Sequence, residues 1–221
     1  MSAEPELRPT VPESVTVPPA NLEGLLRLPK HASGIVVFAH GSGSSRLSPR
    51  NNYVADYFGE RGLGTLLFDL LTDEEARDRA NVFNVDLLAR RLLQAIAWLK
   101  RRDDTRQLAI GLFGASTGAA AALFAASRSD RVHAVVSRGG RPDLAQPILH
   151  LVKAPTLLIV GGLDTDVLAL NRSAFAELDC VKSLQVVPGA SHLFEEPGTL
   201  DAVVALAQRW FEDHLGQGER P

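Results

Sequence analysis

The stretch GLFGASTGAA, Gly111 to Ala120, passes from an apolar, strand-like run into a run of alanines that reads as a helix. Between the two lie Gly114, Ala115, Ser116, Thr117 and Gly118. A glycine-rich turn from strand to helix serves three chemistries: a dinucleotide fingerprint, a phosphate loop, or a nucleophile held on a sharp bend. A phosphate loop needs a lysine after its last glycine, and here Ala119 follows Gly118. A dinucleotide turn has the spacing G-x-G-x-x-G and follows the first strand of its unit. This stretch has G-x-x-G-x-x-x-G, and strand candidates already precede it. Only Arg138, about twenty residues on, suits a phosphorylated dinucleotide. Gly114–Gly118 does fit G-x-S-x-G, in which the serine stands clear of the sheet and glycines flank a crowded turn.

Moving outward, strand and helix patterns alternate along the chain. ESVTVPPANLEGLLRLPK reads as two short strands turning near Pro18-Pro19-Ala20-Asn21. GIVVFAHGSGSS is a continuous apolar run ending in a glycine loop, as expected of a strand covered on both faces. RNNYVADYFGERG has helical spacing, and LGTLLFDLL is a further buried strand. In NVFNVDLLARRLLQAIAWLKRR, residues Val85, Leu88, Leu92, Ile96 and Leu99 form one stripe. Lys100, Arg101 and Arg102 close that helix where cations suit its dipole, so they read as a solvated terminus. Beyond Ser116 come VHAVVSRGG, a short helical piece near LAQPILHLV, TLLIVGG, VLALNRSAFAEL, SLQVVPG and TLDAVVALAQRWFEDHL. Short connections between alternating elements predict an α/β fold: a mostly parallel sheet, helices on both faces, three layers. One domain is expected over residues 13–216, between flexible tails at 1–12 and 217–221.

Composition narrows the partners. Of 221 residues 45% are hydrophobic, enough for one sizeable core, and the net charge of −3 gives no reason to expect nucleic acid. The segment 1–20 lacks the apolar centre of a signal peptide, and no apolar run approaches a membrane span. Cys180 is the sole cysteine, so no internal disulfide can form and a cytoplasmic setting is expected. His31, His133, His150 and His214 show no metal-ligand spacing, and no metal or other cofactor is expected. His40 and Cys180 read as packing residues.

A serine nucleophile needs a base, and the base needs an orienting acid. In a strand–turn–helix architecture of this kind they follow in the order serine, acid, histidine, each after a later strand. Asp164 follows TLLIVGG, with Asp166 as its rival, and His192 follows SLQVVPG. Ser116, Asp164 and His192 are therefore the expected catalytic residues. The oxyanion hole is expected from the backbone N–H of Thr117 and of Ser42, with Gly41 or Gly43 as alternatives to Ser42. Arg138 and Arg141 follow a strand and are candidates to border the site and hold a substrate carboxylate.

Together, FAHGSGSS, GLFGASTGAAAAL, VSRGGRPDL, TLLIVGGLDTDV and VPGASHLFEEPG resemble the small α/β-hydrolases of the dienelactone hydrolase-like group, over roughly residues 14–215. The resemblance implies an α/β-hydrolase fold with minimal or no lid and hydrolysis of a small-molecule ester or lactone. It departs at one point: the name-giving enzymes carry cysteine where this chain has Ser116, which favours ordinary ester chemistry. Acyl transfer or peptide cleavage would use the same three residues, and a binding protein on a retired hydrolase fold is the third class.

Overall fold

The computed structural model describes residues 11–216, so the expected tails fall outside it apart from Val11 and Pro12. From the amino end the elements are β1 (Glu13–Val17), β2 (Leu22–Arg27), β3 (Gly34–Ala39), α1 (Pro49–Glu60), β4 (Leu63–Phe68), α2 (Asp73–Arg77), α3 (Arg79–Val82), α4 (Val85–Leu99), β5 (Ile110–Ala115), α5 (Thr117–Ser127), β6 (Val132–Arg138), a 3₁₀ segment (Pro142–Leu151), β7 (Thr156–Gly161), α6 (Thr165–Glu177), β8 (Lys182–Val187) and α7 (Thr199–Leu215).

The strands form one sheet in the order β1-β2-β4-β3-β5-β6-β7-β8. The β1–β2 and β2–β4 pairings are antiparallel. From β4 to β8 every pairing is parallel. Every residue of β3, β4, β5 and β7 is buried, which is why these segments read as unbroken apolar runs rather than as alternation. Successive side chains nevertheless serve opposite faces. Ile35 and Val37 join the core with Leu88, Leu92, Ile96 and Leu99 of α4. Val36 and Phe38 join the core with Phe58 of α1 and Phe211 of α7. On this second face Phe113 stands 5.1 Å from Phe38 and 6.0 Å from Phe58, ring centre to ring centre.

Helix α4 starts where Asn84 accepts the Leu87 N–H at 3.0 Å, the bond expected of an N-cap. Before it, the β4–α4 connection carries α2 and α3, which no apolar periodicity announces. A capping box on Thr72 and Glu75 holds α2. Glu75 also meets Arg91 of α4 at 2.5 Å. The β6–β7 connection holds only the 3₁₀ segment, so no lid is inserted there.

Candidate active site

Strand β5 ends in the crowded turn that the glycines foretell. A Cβ on Gly114 would lie 2.4 Å from Ala119 Cα, and one on Gly118 would lie 2.0 Å from the Ala39 carbonyl oxygen. Both distances are far inside contact, so α5 seats on the ends of β3 and β5 only with glycine at these two positions. Ser116 pays for the bend with φ 51° and ψ −122°, a backbone that costs a non-glycine residue about 1–3 kcal/mol. It occupies the N-cap position of α5, yet its side chain makes no capping bond. A serine present merely to cap would make that bond.

Asp164 behaves in the same way. It stands at the N-cap position of α6 without capping it, and its Oδ2 lies 2.6 Å from His192 Nδ1. The Asp164 side chain is 15% exposed, so the contact is sheltered from water. Asp166 is exposed in the first turn of α6 and has no such partner. His192 follows β8 on a loop fixed at both sides. The Ser191 N–H donates to Glu196 Oε2 at 3.0 Å, and Phe194 is buried despite φ 55°. Gly139, at the end of β6, brings the backbone close beneath this loop: a Cβ there would stand 3.1 Å from the His192 carbonyl oxygen.

Ser116 and His192 line one open cavity of about 620 Å³, together with Ser42, Arg50, Arg138 and Leu193. With Nδ1 facing Asp164, the Nε2 edge of His192 is the one left to take a proton. Arg138 Nη1 is sealed from solvent with no hydrogen-bond partner. Burial pushes the Arg138 pKa down to about 10, and the charge of Arg50 acts in the same direction. Arg141, the other arginine expected at the border, does not line this cavity. Its guanidinium forks onto Asp143 at 2.8 and 2.7 Å, and only its backbone reaches the turn, donating to the Ser116 carbonyl at 3.1 Å. Arg50 was not foreseen. It sits in the first turn of α1 and meets Glu195 at 2.8 Å; its segment reads as a solvated helix start, and only the tertiary fold brings it to the serine.

The Ser42 N–H is not free. It donates to Thr117 Oγ1 at 3.1 Å, tying the Gly41–Ser45 loop to the start of α5. On the other side of that loop lies a second cavity of about 220 Å³. His40 borders it, accepting the Leu70 N–H on Nε2 at 3.2 Å and contacting the Gly41 carbonyl through Nδ1 at 3.1 Å. Burial lowers the His40 pKa, outweighing the Gly41 bond and the nearby Asp69 charge, which raise it. Cys180 is half-buried and packs against the core. Among the described residues, no helix is long and apolar enough to cross a membrane.

The dienelactone hydrolase family profile matches residues 22–215. The chain belongs to the dienelactone hydrolase family. A crystal structure titled dienelactone hydrolase, from Anabaena variabilis, is 53% identical and superposes with a TM-score of 0.90, covering 94% of this chain and 100% of that one. Est1E from Butyrivibrio proteoclasticus superposes with a TM-score of 0.77 over 92% of this chain and 98% of its own; at 14% identity it speaks for the fold alone. A protein of Mycobacterium tuberculosis, provisionally named a phosphoribosyl transferase, is 57% identical over 215 residues. Those residues are 97% of this chain and 48% of the relative, so the chain spans about half the length of that protein. The α/β-hydrolase fold is thus common to this chain and its structural neighbours.

Proposed function

We propose that this member of the dienelactone hydrolase family is a serine hydrolase of small carboxylic esters and lactones. The observation that carries the reading is the 2.6 Å contact between Asp164 and His192, made beside an uncapped Ser116 in the same cavity. Ser116 Oγ attacks the substrate carbonyl carbon while His192 Nε2 takes its proton. The C–O bond to the alcohol then breaks, and His192 gives that proton to the departing oxygen. Water attacks the acyl-serine, His192 accepts the water proton, and the acid leaves as Ser116 regains its hydrogen. Asp164 holds the imidazole orientation and stabilises its charged form. The N–H of Thr117 and one from the Gly41–Gly43 loop serve the developing oxyanion; Ser42, the first choice in sequence, does so only once its N–H leaves Thr117 Oγ1.

Arg138 sets the substrate preference. Arg138 is half-buried and lines the cavity with no carboxylate beside it, and a charge held partly out of water without a partner is costly; a substrate carboxylate or phosphate would pair with its accessible side. This favours esters that carry an anion; Arg50, at the mouth, is already paired with Glu195. The open cavity gives water ready access to an acyl-serine, which supports hydrolysis over transfer to another acceptor. The mechanism calls for no metal or organic cofactor.

The test is labelling with a fluorophosphonate, followed by peptide mapping, alongside turnover of p-nitrophenyl acetate. The parent takes the label on Ser116. Ser116→Ala takes none there and loses turnover by about 10³-fold or more. Turnover within a few-fold of the parent refutes the assignment.

A further inference from the structure

The smaller cavity has the opposite chemistry to the larger one. Leu70, Leu71 and Leu88 line it, and Ala76 of α2 and Val82 of α3 close its outer side. Three of its polar neighbours are already engaged. Asp69 Oδ1 accepts the Arg46 N–H at 2.7 Å and its other oxygen meets the Arg46 guanidinium. The two nitrogens of His40 meet Leu70 and Gly41, and Thr117 Oγ1 accepts from Ser42. Asp73, Ser42, Ser44 and Ser45 add polar atoms on one side, and the rest of the wall is apolar. Ser42 and Thr117 border this cavity and Ser116 does not, so it lies one residue from the nucleophile, with the bond from Ser42 to Thr117 between them. His192 and Arg138 border only the other one.

We infer that the smaller cavity is the acyl subsite, and that the enzyme takes esters of a small apolar acid with an anion-bearing alcohol. The inference rests on the serine-hydrolase reading above and assigns its two sides. The departing alcohol must lie within reach of His192, which gives it a proton. The alcohol therefore occupies the large cavity, beside Arg138 and Arg50. The acyl group points away from His192, past Thr117, towards Leu70, Leu71 and Val82. A cavity of about 150 Å³ takes a benzene ring, so this one suits an acyl chain of about six carbons. The wall that selects it comes from α2 and α3, in the β4–α4 connection.

Kinetics with one alcohol and acyl chains of two to twelve carbons test the inference. Each buried CH₂ is worth about fourfold, so kcat/KM rises about 15-fold from acetyl to butyryl and levels off near six carbons. Ala76→Phe fills the cavity from α2, and Val82→Phe does so independently from α3. Either lowers the butyryl-to-acetyl ratio by about tenfold, while the ratio between anionic and neutral alcohols stays as in the parent. A butyryl-to-acetyl ratio unchanged in both folded variants overturns the inference, even with Ser116 still labelled by the fluorophosphonate. A parent that neither labels nor hydrolyses any ester overturns the serine-hydrolase reading, and the inference with it.

Discussion

The side-chain hydroxyl of Thr117 accepts the backbone N–H of Ser42 at 3.1 Å, joining the start of α5 to the loop after β3. In the proposed reaction Thr117 gives one oxyanion donor and the loop that carries Ser42 gives the other, so the hydroxyl sets how far apart they stand. Losing one such donor outright costs about 10²–10³ in turnover. Thr117→Val leaves the Thr117 N–H in place but removes the bond that holds the loop. We expect kcat to fall about tenfold, short of that range, with KM for a short ester nearly unchanged and Thr117→Ser restoring the parent rate. Steady-state kinetics of the three proteins decide it, and an unaltered kcat in Thr117→Val removes the tether from the account.

Ser116 holds its φ of 51° at the expense of the fold. Glycine accepts that conformation freely, whereas alanine does not. Both substitutions abolish the proposed nucleophile, yet they part in stability. Ser116→Gly is expected to exceed Ser116→Ala by about 1–2 kcal/mol, or several degrees in Tm. Thermal unfolding of the pair measures it, and equal Tm values would show that the bend carries no strain.

His40 links stability to pH. Burial lowers its pKa in the folded protein, while in the unfolded chain it titrates near the usual value of about 6.5. As pH falls through that value the unfolded state takes up a proton first. Stability is therefore full above it and is lost as the pH drops towards the folded pKa, by at most about 1.4 kcal/mol per pH unit. His40→Gln keeps a donor and an acceptor and does not titrate. Urea midpoints between pH 7.5 and 5 should slope less in the variant; parallel slopes would clear His40 of the effect.

Arg138→Met keeps the length of the buried stem and deletes its charge. In the proposed substrate site this lowers kcat/KM for anion-bearing esters by about 10–100-fold, the loss expected of a charge-assisted contact. Neutral esters should change little. Tm should hold or rise, because Nη1 is sealed from solvent without a partner. A uniform loss across charged and neutral esters would count against an anion subsite.

Much of the fold is written in local pattern. Strands β3, β5 and β7 are buried on both faces, so their apolar runs could be read without neighbours. The places of Ser116, Asp164 and His192 follow from strand ends, which pattern also marks. Asp164 is preferred over Asp166 in sequence by its place at the strand end, and the contact with His192 is made by Asp164. Arg138 and Arg141 are equally cationic in sequence, and it is the fork from Arg141 to Asp143 that takes one of them away. Arg50 lies far along the chain from Ser116, so no local signal connects them. Helices α2 and α3 have no buried residues of their own. They therefore lack the stripe that makes α4 legible, and what holds α2 is a capping box and the Glu75–Arg91 pair.

That lack of buried residues also bears on how such an enzyme can change over generations. Most substitutions in a protein are limited by the stability they cost, and surface positions cost little. The outer wall of the smaller cavity is built from just such positions, whereas Gly114 and Gly118 leave no room for any side chain. With the acyl subsite proposed above, selection redraws which acids are accepted by drifting through α2 and α3, while the turn that presents Ser116 stays unchanged. On that proposal, a change of substrate needs no unfolded or inactive intermediate.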